Sequence, residues 1–331
     1  MKLTRFINKT LRLALLLSLL IFAFLLYSVL KIRNAPSVMP HVTQETRQTA
    51  LYGHVEALSV GIGSRSVYEY ERLNAARDYI LNSLQAMGYQ PELQTYLYEE
   101  RPYSNVIVTL PGGERFDEVV LFGAHYDTYA GTPGADDNAS AVAVLLELCR
   151  RVKDEKPGRT LKMVFFTLEE PPVFRSEFMG SAVYAERARK AGEDIVAMVC
   201  LEMVGYYSEE RGGQAFPLPF MSLIYPATPN FIAVVGNLAS RNLVKKAAAS
   251  LRREGGIGVE TLCTVRFFPG VDFSDHRSFW KQGYPAVMIT DTAFFRNPNY
   301  HSETDTIDTL DFPRMEILLR GIVRMAKDLA Q

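Results

Sequence analysis

Apolar positions along the chain fall into three patterns. Residues 13–30 form an uncharged run of Leu, Ala, Ile, Phe and Val, broken only by Ser18, Tyr27 and Ser28; eighteen such residues is the lower limit for a helix that spans a bilayer. Leu73, Ala76, Ile80, Leu84 and Met87 recur on one helical face and stop at Gly88, where a helix end favours a left-handed residue. Short apolar runs at 105–110, 118–124, 161–168, 196–203, 231–235 and 286–289 have the length of buried strands, with Pro111, Gly112 and Gly113 as a turn between the first two. Residues 139–152 read as an apolar helix. Leu318, Ile322, Met325 and Leu329 mark the stripe of a closing amphipathic helix that starts near Asp311. Strands alternating with helices predict an α/β fold, a mixed, mostly parallel central sheet with helices on both faces, preceded by an N-terminal transmembrane helix.

Composition narrows this picture. The chain has 331 residues, 48% hydrophobic and 22% charged, which fits a globular domain and excludes a disordered tract. A net charge of −1 excludes a broadly basic nucleic-acid binder. Cys149, Cys200 and Cys263 are odd in number and far apart, which excludes a disulfide scaffold or a cysteine zinc finger. Lys2, Arg5, Lys9, Arg12, Lys31 and Arg33 give residues 1–33 six cations and no carboxylate, so the rest of the chain is negative by about seven. More cations precede the apolar run than follow it, which orients the N-terminus to the cytoplasm. The expected organisation is a basic stub and membrane anchor at 1–33, a linker at 34–48, and one extracytoplasmic domain at 49–331. Secretion after signal cleavage is the alternative; Lys31 and Arg33 stand where the cleavage site would be.

Candidate chemistry lies just beyond the strands, where open α/β sheets bind ligands. His125 and Asp127 follow the 118–124 run, and Asp136 and Asp137 open the 139–152 helix. Glu169 and Glu170 follow 161–168, Glu202 lies near the end of 196–203, and His301 lies in the loop after 286–289. Separately, each has a bland use as a turn, a cap or a solvated loop. Glu202, in the apolar stretch VAMVCLEMVG, is different, because a buried carboxylate needs a partner. Imidazoles and carboxylates without a nearby thiolate favour zinc, with manganese or cobalt as alternatives.

The motifs GAHYDT (123–128), GADDNAS (134–140), Glu169-Glu170, LEMVG (201–205), SDHRSFWKQGYPAV (274–287) and YHSETDTID (300–308) occur in this order. Together with GSR at 63–65, they give a chain that resembles the co-catalytic di-zinc exopeptidases of metallopeptidase family M28 over about residues 50–330. The resemblance implies two zinc ions bridged by Asp137, with His125 and Glu202 on one and Glu170 and His301 on the other. It also implies Glu169 as general base, Asp127 as the carboxylate orienting His125, and Tyr300 as a group that polarises the substrate carbonyl. His276, in SDHRSF, is expected outside the metal shell, with Asp275 as a helix cap. Phe174, Arg175 and Phe178 are candidate substrate contacts or loop packing.

The function this implies is hydrolysis of terminal peptide bonds in a peptide or amino-acyl substrate, with aminopeptidase first. Glu202 departs from the aspartate of the familiar aminopeptidases in this family, which keeps a carboxypeptidase in view. A glutaminyl-cyclase-like acyltransferase and a non-catalytic receptor-like ectodomain are the remaining alternatives.

Overall fold

The computed structural model describes residues 43–331, together with 16, 18–20 and 23. The expected anchor at 13–30 lies outside the described residues apart from those five positions. Among the described residues no helix is long and apolar enough to cross a membrane. Residues 16, 18–20 and 23 are helical, and within 43–331 regular structure starts inside the stretch read as linker, with a one-turn helix, α1 (Gln44–Arg47), capped by the Thr43 hydroxyl.

Seven further helices follow: α2 (Ala50–Glu56), α3 (Tyr70–Ala86), α4 (Ala141–Val152), α5 (Gly180–Lys190), α6 (Arg241–Glu254), α7 (His276–Lys281) and α8 (Phe312–Ala330). The strands are β1 (Glu92–Tyr98), β2 (Arg101–Leu110), β3 (Arg115–His125), β4 (Arg159–Phe166), β5 (Asp194–Glu202), β6 (Phe231–Asn237), β7 (Gly258–Thr264) and β8 (Ala286–Thr290). They form one eight-stranded sheet in the order β1-β2-β4-β3-β5-β8-β6-β7. Its centre, β4-β3-β5-β8, is parallel. Antiparallel pairing appears toward the flanks, at β1–β2, β2–β4 and β8–β6.

The Pro111–Gly113 turn does not close a hairpin, because β4 is inserted between β2 and β3. The central strands are buried on both faces, so their sequences read as continuous apolar runs rather than alternating ones. Val120, Phe122, Met163 and Phe165 face a core completed by α3, α4, α6 and α8. Leu121, Val164 and Phe166 face a second core with Tyr184 of α5 and Phe279 and Trp280 of α7. Helix α3 carries Leu73, Ala76, Ile80 and Leu84 inward and ends at Gly88, whose φ of 86° suits a glycine. Helix α8 begins where the Asp311 carboxylate accepts from the backbone N–H of Arg314, and it buries Leu318, Ile322, Met325 and Leu329.

Helix α4 starts later than the apolar pattern suggests. Residues Ala135–Ser140 form a wider turn in which Asp137 and Asn138 leave helical geometry (φ −103° and −135°). Gly134 introduces the turn in a left-handed conformation (φ 61°), and a Cβ there would meet the Thr128 side chain at 2.3 Å and the Asp137 carbonyl oxygen at 2.5 Å. That position therefore requires glycine.

Candidate metal centre

The parallel strands deliver their carboxyl ends to one edge of the sheet. His125 is the last residue of β3 and Glu202 the last of β5, while Glu169 and Glu170 lie just beyond β4. His301 lies in the segment between β8 and α8, and Asp137 in the turn before α4. The structure brings all of them together.

Asp137 stands between two histidines. Its Oδ1 is 3.4 Å from Nε2 of His125, and its Oδ2 is 3.3 Å from Nε2 of His301. Glu202 Oε2 lies 3.3 Å from the same nitrogen of His125, and Glu170 Oε2 lies 3.3 Å from that of His301. The five residues thus form two three-donor groups, His125–Asp137–Glu202 and Asp137–Glu170–His301. Two donors at zinc-like distances of 2.0–2.1 Å around a tetrahedral ion lie about 3.3 Å apart. His125 Nε2, Asp137 Oδ1 and Glu170 Oε1 are buried with no hydrogen-bond partner. Such atoms carry a desolvation penalty that a shared cation removes. The donor set therefore fits a pair of metal ions.

Protonation records the same crowding. Burial opposes a proton on His125, yet Glu202, Asp127 and Asp137 together raise it well above its ordinary value. Burial likewise opposes one on His301, while Asp137 and Glu170 lift it to about 10. Burial and the Asp137 charge push the Glu170 carboxyl up to about 8. Burial also pushes Glu169 well above the usual carboxylate range, helped by the charges of Glu202 and Glu170 and opposed by His125.

A surrounding layer fixes these groups. Asp127 accepts from the backbone N–H groups of Glu169 and Glu170. Its carboxylate lies 3.5 Å from Nδ1 of His125, whose nearer partner is the backbone carbonyl oxygen of Asp127 at 3.2 Å. Ser274 donates to Glu202 at 2.6 Å. The Asp305 carboxylate accepts from the backbone N–H groups of Asp136 and Asp137, and Asp136 accepts from Gly205 N–H and from the Asn297 amide. Asn138 ties the turn to β5 through the Leu201 carbonyl and Met203 N–H. Arg65, fully buried, donates to the carbonyls of Tyr126, Pro133 and Gly134, which holds the chain on both sides of Asp127. Apart from the Asp127–His125 contact, these supports join segments far apart in sequence, so residue patterns do not reveal them.

Tyr300 stacks on the His301 ring at 3.8 Å between centroids, and Tyr129 stacks on it at 4.2 Å. Burial and the charges of Asp137, Glu170, Glu169 and Glu202 push the Tyr300 phenol well above its usual value. His276 lies apart from the cluster: its Nε2 is 2.7 Å from the Val271 carbonyl oxygen, and its ring meets Trp280 edge-on. Asp275 does not cap α7 through its side chain. It is buried beside His125, Glu202 and Asp127, and burial pushes its carboxyl up to about 7. Arg175 pairs with Asp272 at 2.8 Å and covers the rings of Phe273 and Phe174. The cleft that opens from Glu202 and Tyr300 is walled instead by Ala215, Phe216, Met221, Phe273 and Phe294.

Residues 105–325 match the model of Peptidase family M28. The chain belongs to that family. An uncharacterized protein of Escherichia coli (strain K12), YfbL, is 35% identical over 93% of this chain and 96% of its own length. A probable leucine aminopeptidase of Trichophyton verrucosum is 29% identical over 64% of this chain, which spans about half (53%) of that relative. Among solved structures, the Bacillus subtilis zinc aminopeptidase BSAP has a TM-score of 0.68 at 13% identity, covering 85% of this chain and 95% of that one. A Bacteroides thetaiotaomicron glutaminyl cyclase bound to N-acetylhistamine has a TM-score of 0.63 at 18% identity, covering 88% and 99%. The M28 domain shares its mixed α/β sheet with both.

Proposed function

We propose that this M28 peptidase is a zinc-dependent aminopeptidase whose donors His125, Asp137, Glu170, Glu202 and His301 would hold two ions, with Asp137 common to both donor groups. The observation that carries the reading is the Asp137 carboxylate itself, one oxygen beside His125 and the other beside His301. When bound, zinc polarises a carbonyl and lowers the pKa of water toward neutrality.

The chain's own residues supply the remainder. Glu169 belongs to neither donor group, and its Oε1 is buried with no hydrogen-bond partner. It takes the proton from the attacking water and returns one to the leaving amine. Burial raises its affinity for a proton, which favours the first transfer. Asp127 holds the backbone of Glu169 and Glu170 in register with His125. Tyr300 carries a phenol that stays protonated and so donates a hydrogen bond to the scissile carbonyl oxygen.

The proposal also takes residues 13–30 as an anchor, with the peptidase domain on the extracytoplasmic side. Supporting it are the apolar run and its cationic flanks. Protease shaving of sealed spheroplasts checks this: the domain should be cut, and its persistence contradicts the assignment.

The activity is tested by chromatography of a peptide incubated with the zinc-loaded protein. Sequential loss of N-terminal residues, stopped by a chelator, supports the reading. Release from the C-terminus replaces it with a carboxypeptidase, and ammonia release from an N-terminal glutamine replaces it with a cyclase. No turnover of any substrate leaves a receptor-like domain.

A further inference from the structure

We infer that Glu260 is a specificity-determining residue of this peptidase, selecting substrates whose terminal side chain is long and ends in a cation, as those of lysine and arginine do. This rests on the aminopeptidase reading above and names its substrate class.

Strand register aligns Glu260 with the metal centre. Glu202 pairs with Thr290 on β8, Thr290 with Ala233 on β6, and Ala233 with Glu260 on β7. Residues paired across strands share a face of the sheet. With strands 4.7–4.9 Å apart, three steps place the backbone of Glu260 about 14 Å from that of Glu202. All four residues line one cleft, which also contains Tyr300. A single trough therefore leads from the metal centre to the carboxylate of Glu260.

Between its two acidic ends the trough is apolar. The neighbouring register row supplies Met288, Val235 and Leu262, and Phe216 and Met221 line the cleft with them. An aliphatic length closed by a carboxylate is complementary to a side chain with an apolar stem and a charged head.

Glu260 lacks a partner of its own. It is half-buried, and its carboxylate makes no hydrogen bond or ion pair with any described residue. Burial pushes its carboxyl up, and the more distant charge of Arg252 opposes that. Arg252 is itself engaged by the Val259 carbonyl oxygen at 2.8 Å. Strand β7 is at the sheet edge, and charges there commonly deter pairing with other chains. Glu260 instead shares the face of Ala233 and Leu262, over the cleft. An apolar terminal side chain would desolvate this carboxylate without pairing it, whereas a cationic one would pair it.

The test compares kcat/KM for arginyl and norleucyl substrates with the same leaving group, on the zinc-loaded full chain. Their aliphatic stems are similar, so their ratio isolates the charged head. The wild type should favour the arginyl substrate, and Glu260→Gln should lower that ratio by about ten- to a hundredfold, the range of a charge-assisted hydrogen bond. Glu260→Asp should keep the arginyl preference, and Glu260→Lys should shift preference toward a glutamyl substrate. The ratio is internal to each protein, so a partial loss of folded enzyme cancels. A wild type that prefers norleucine, or a ratio unchanged in Glu260→Gln, overturns the inference and leaves the aminopeptidase intact. Failure of the wild type to hydrolyse either substrate overturns the aminopeptidase reading itself.

Discussion

Asp127 accepts a hydrogen bond at 3.1 Å from the backbone N–H of Glu169, whose carboxylate is the proposed base. Its second oxygen takes the N–H of Glu170, a candidate ligand, at 3.0 Å. One buried side chain thus sets the strand-end turn that presents base and ligand together, while packing against His125 on β3. Asp127→Asn places an NH₂ group against one of those N–H donors and removes the negative charge. Zinc affinity should fall about 10–100-fold, as for other groups that orient ligands. Competition against a chromophoric chelator measures it, and unchanged affinity contradicts the role.

Glu169 should separate chemistry from metal binding. Glu169→Gln keeps the size and hydrogen-bonding reach of the side chain but cannot carry the proton. Turnover should fall about 10²–10⁴-fold, with zinc content unchanged by elemental analysis. Full activity in that variant refutes proton transfer by Glu169.

Arg65 predicts a stability effect at a distance from the chemistry. Its guanidinium serves the carbonyls of Tyr126, Pro133 and Gly134 from a site with no solvent exposure. Burial lowers its pKa to about 10, so it stays charged at neutral pH. Arg65→Met leaves those buried carbonyls unpaired. Urea unfolding should show a loss on the order of 3 kcal/mol, two or three charged hydrogen bonds less the new apolar contact. A change below about 0.5 kcal/mol, the range of surface substitutions, contradicts the structural assignment.

His276 gives a pH dependence with a definite sign. Complete burial lowers its pKa to about 4, from an ordinary value of 6.5. Between those values the unfolded chain binds a proton that the folded chain does not, so stability falls as pH falls from 6.5 to 4. The contribution over that window is about 3 kcal/mol, from 1.36 kcal/mol per pKa unit. The difference in unfolding free energy between wild type and His276→Gln should therefore shrink on acidification, because only the wild type loses this term. A difference constant from pH 7 to pH 4 contradicts it.

The sequence exposed the elements whose side chains face a core in a regular period. The α3 stripe from Leu73 to Leu84 and the α8 stripe from Leu318 to Leu329 are of this kind, as are the doubly buried strands β3, β4 and β5. The edge strands β1 and β7 were not visible. Each mixes exposed and half-buried positions, and their apolar residues do not form a run. Helix α6 was missed too: its inward face, Leu243, Val244, Ala247, Ala248, Ser250 and Leu251, is interrupted in sequence by Lys245 and Lys246 and forms no continuous apolar run. Sheet order was hidden for another reason: insertion of β4 between β2 and β3 depends on a crossover that no local turn encodes. At the site, His125, Asp137, Glu169, Glu170 and Glu202 were legible because each lies at or just beyond the end of an apolar strand or opens a helix, whereas His301, in a loop, was legible only within the motif YHSETDTID. Asp305, Asp275 and Arg65 were not, because their partners are distant backbone groups or a shared buried space.

The proposed chemistry requires two cations that share Asp137. The most direct measurement is an anomalous-difference map at the zinc absorption edge from crystals grown with zinc. It should show two peaks about 3.5–4 Å apart, one on each side of the Asp137 carboxylate. The first should lie about 2.0–2.2 Å from donors of His125 and Glu202, and the second from those of Glu170 and His301. A single peak, or peaks that do not share Asp137, would contradict it.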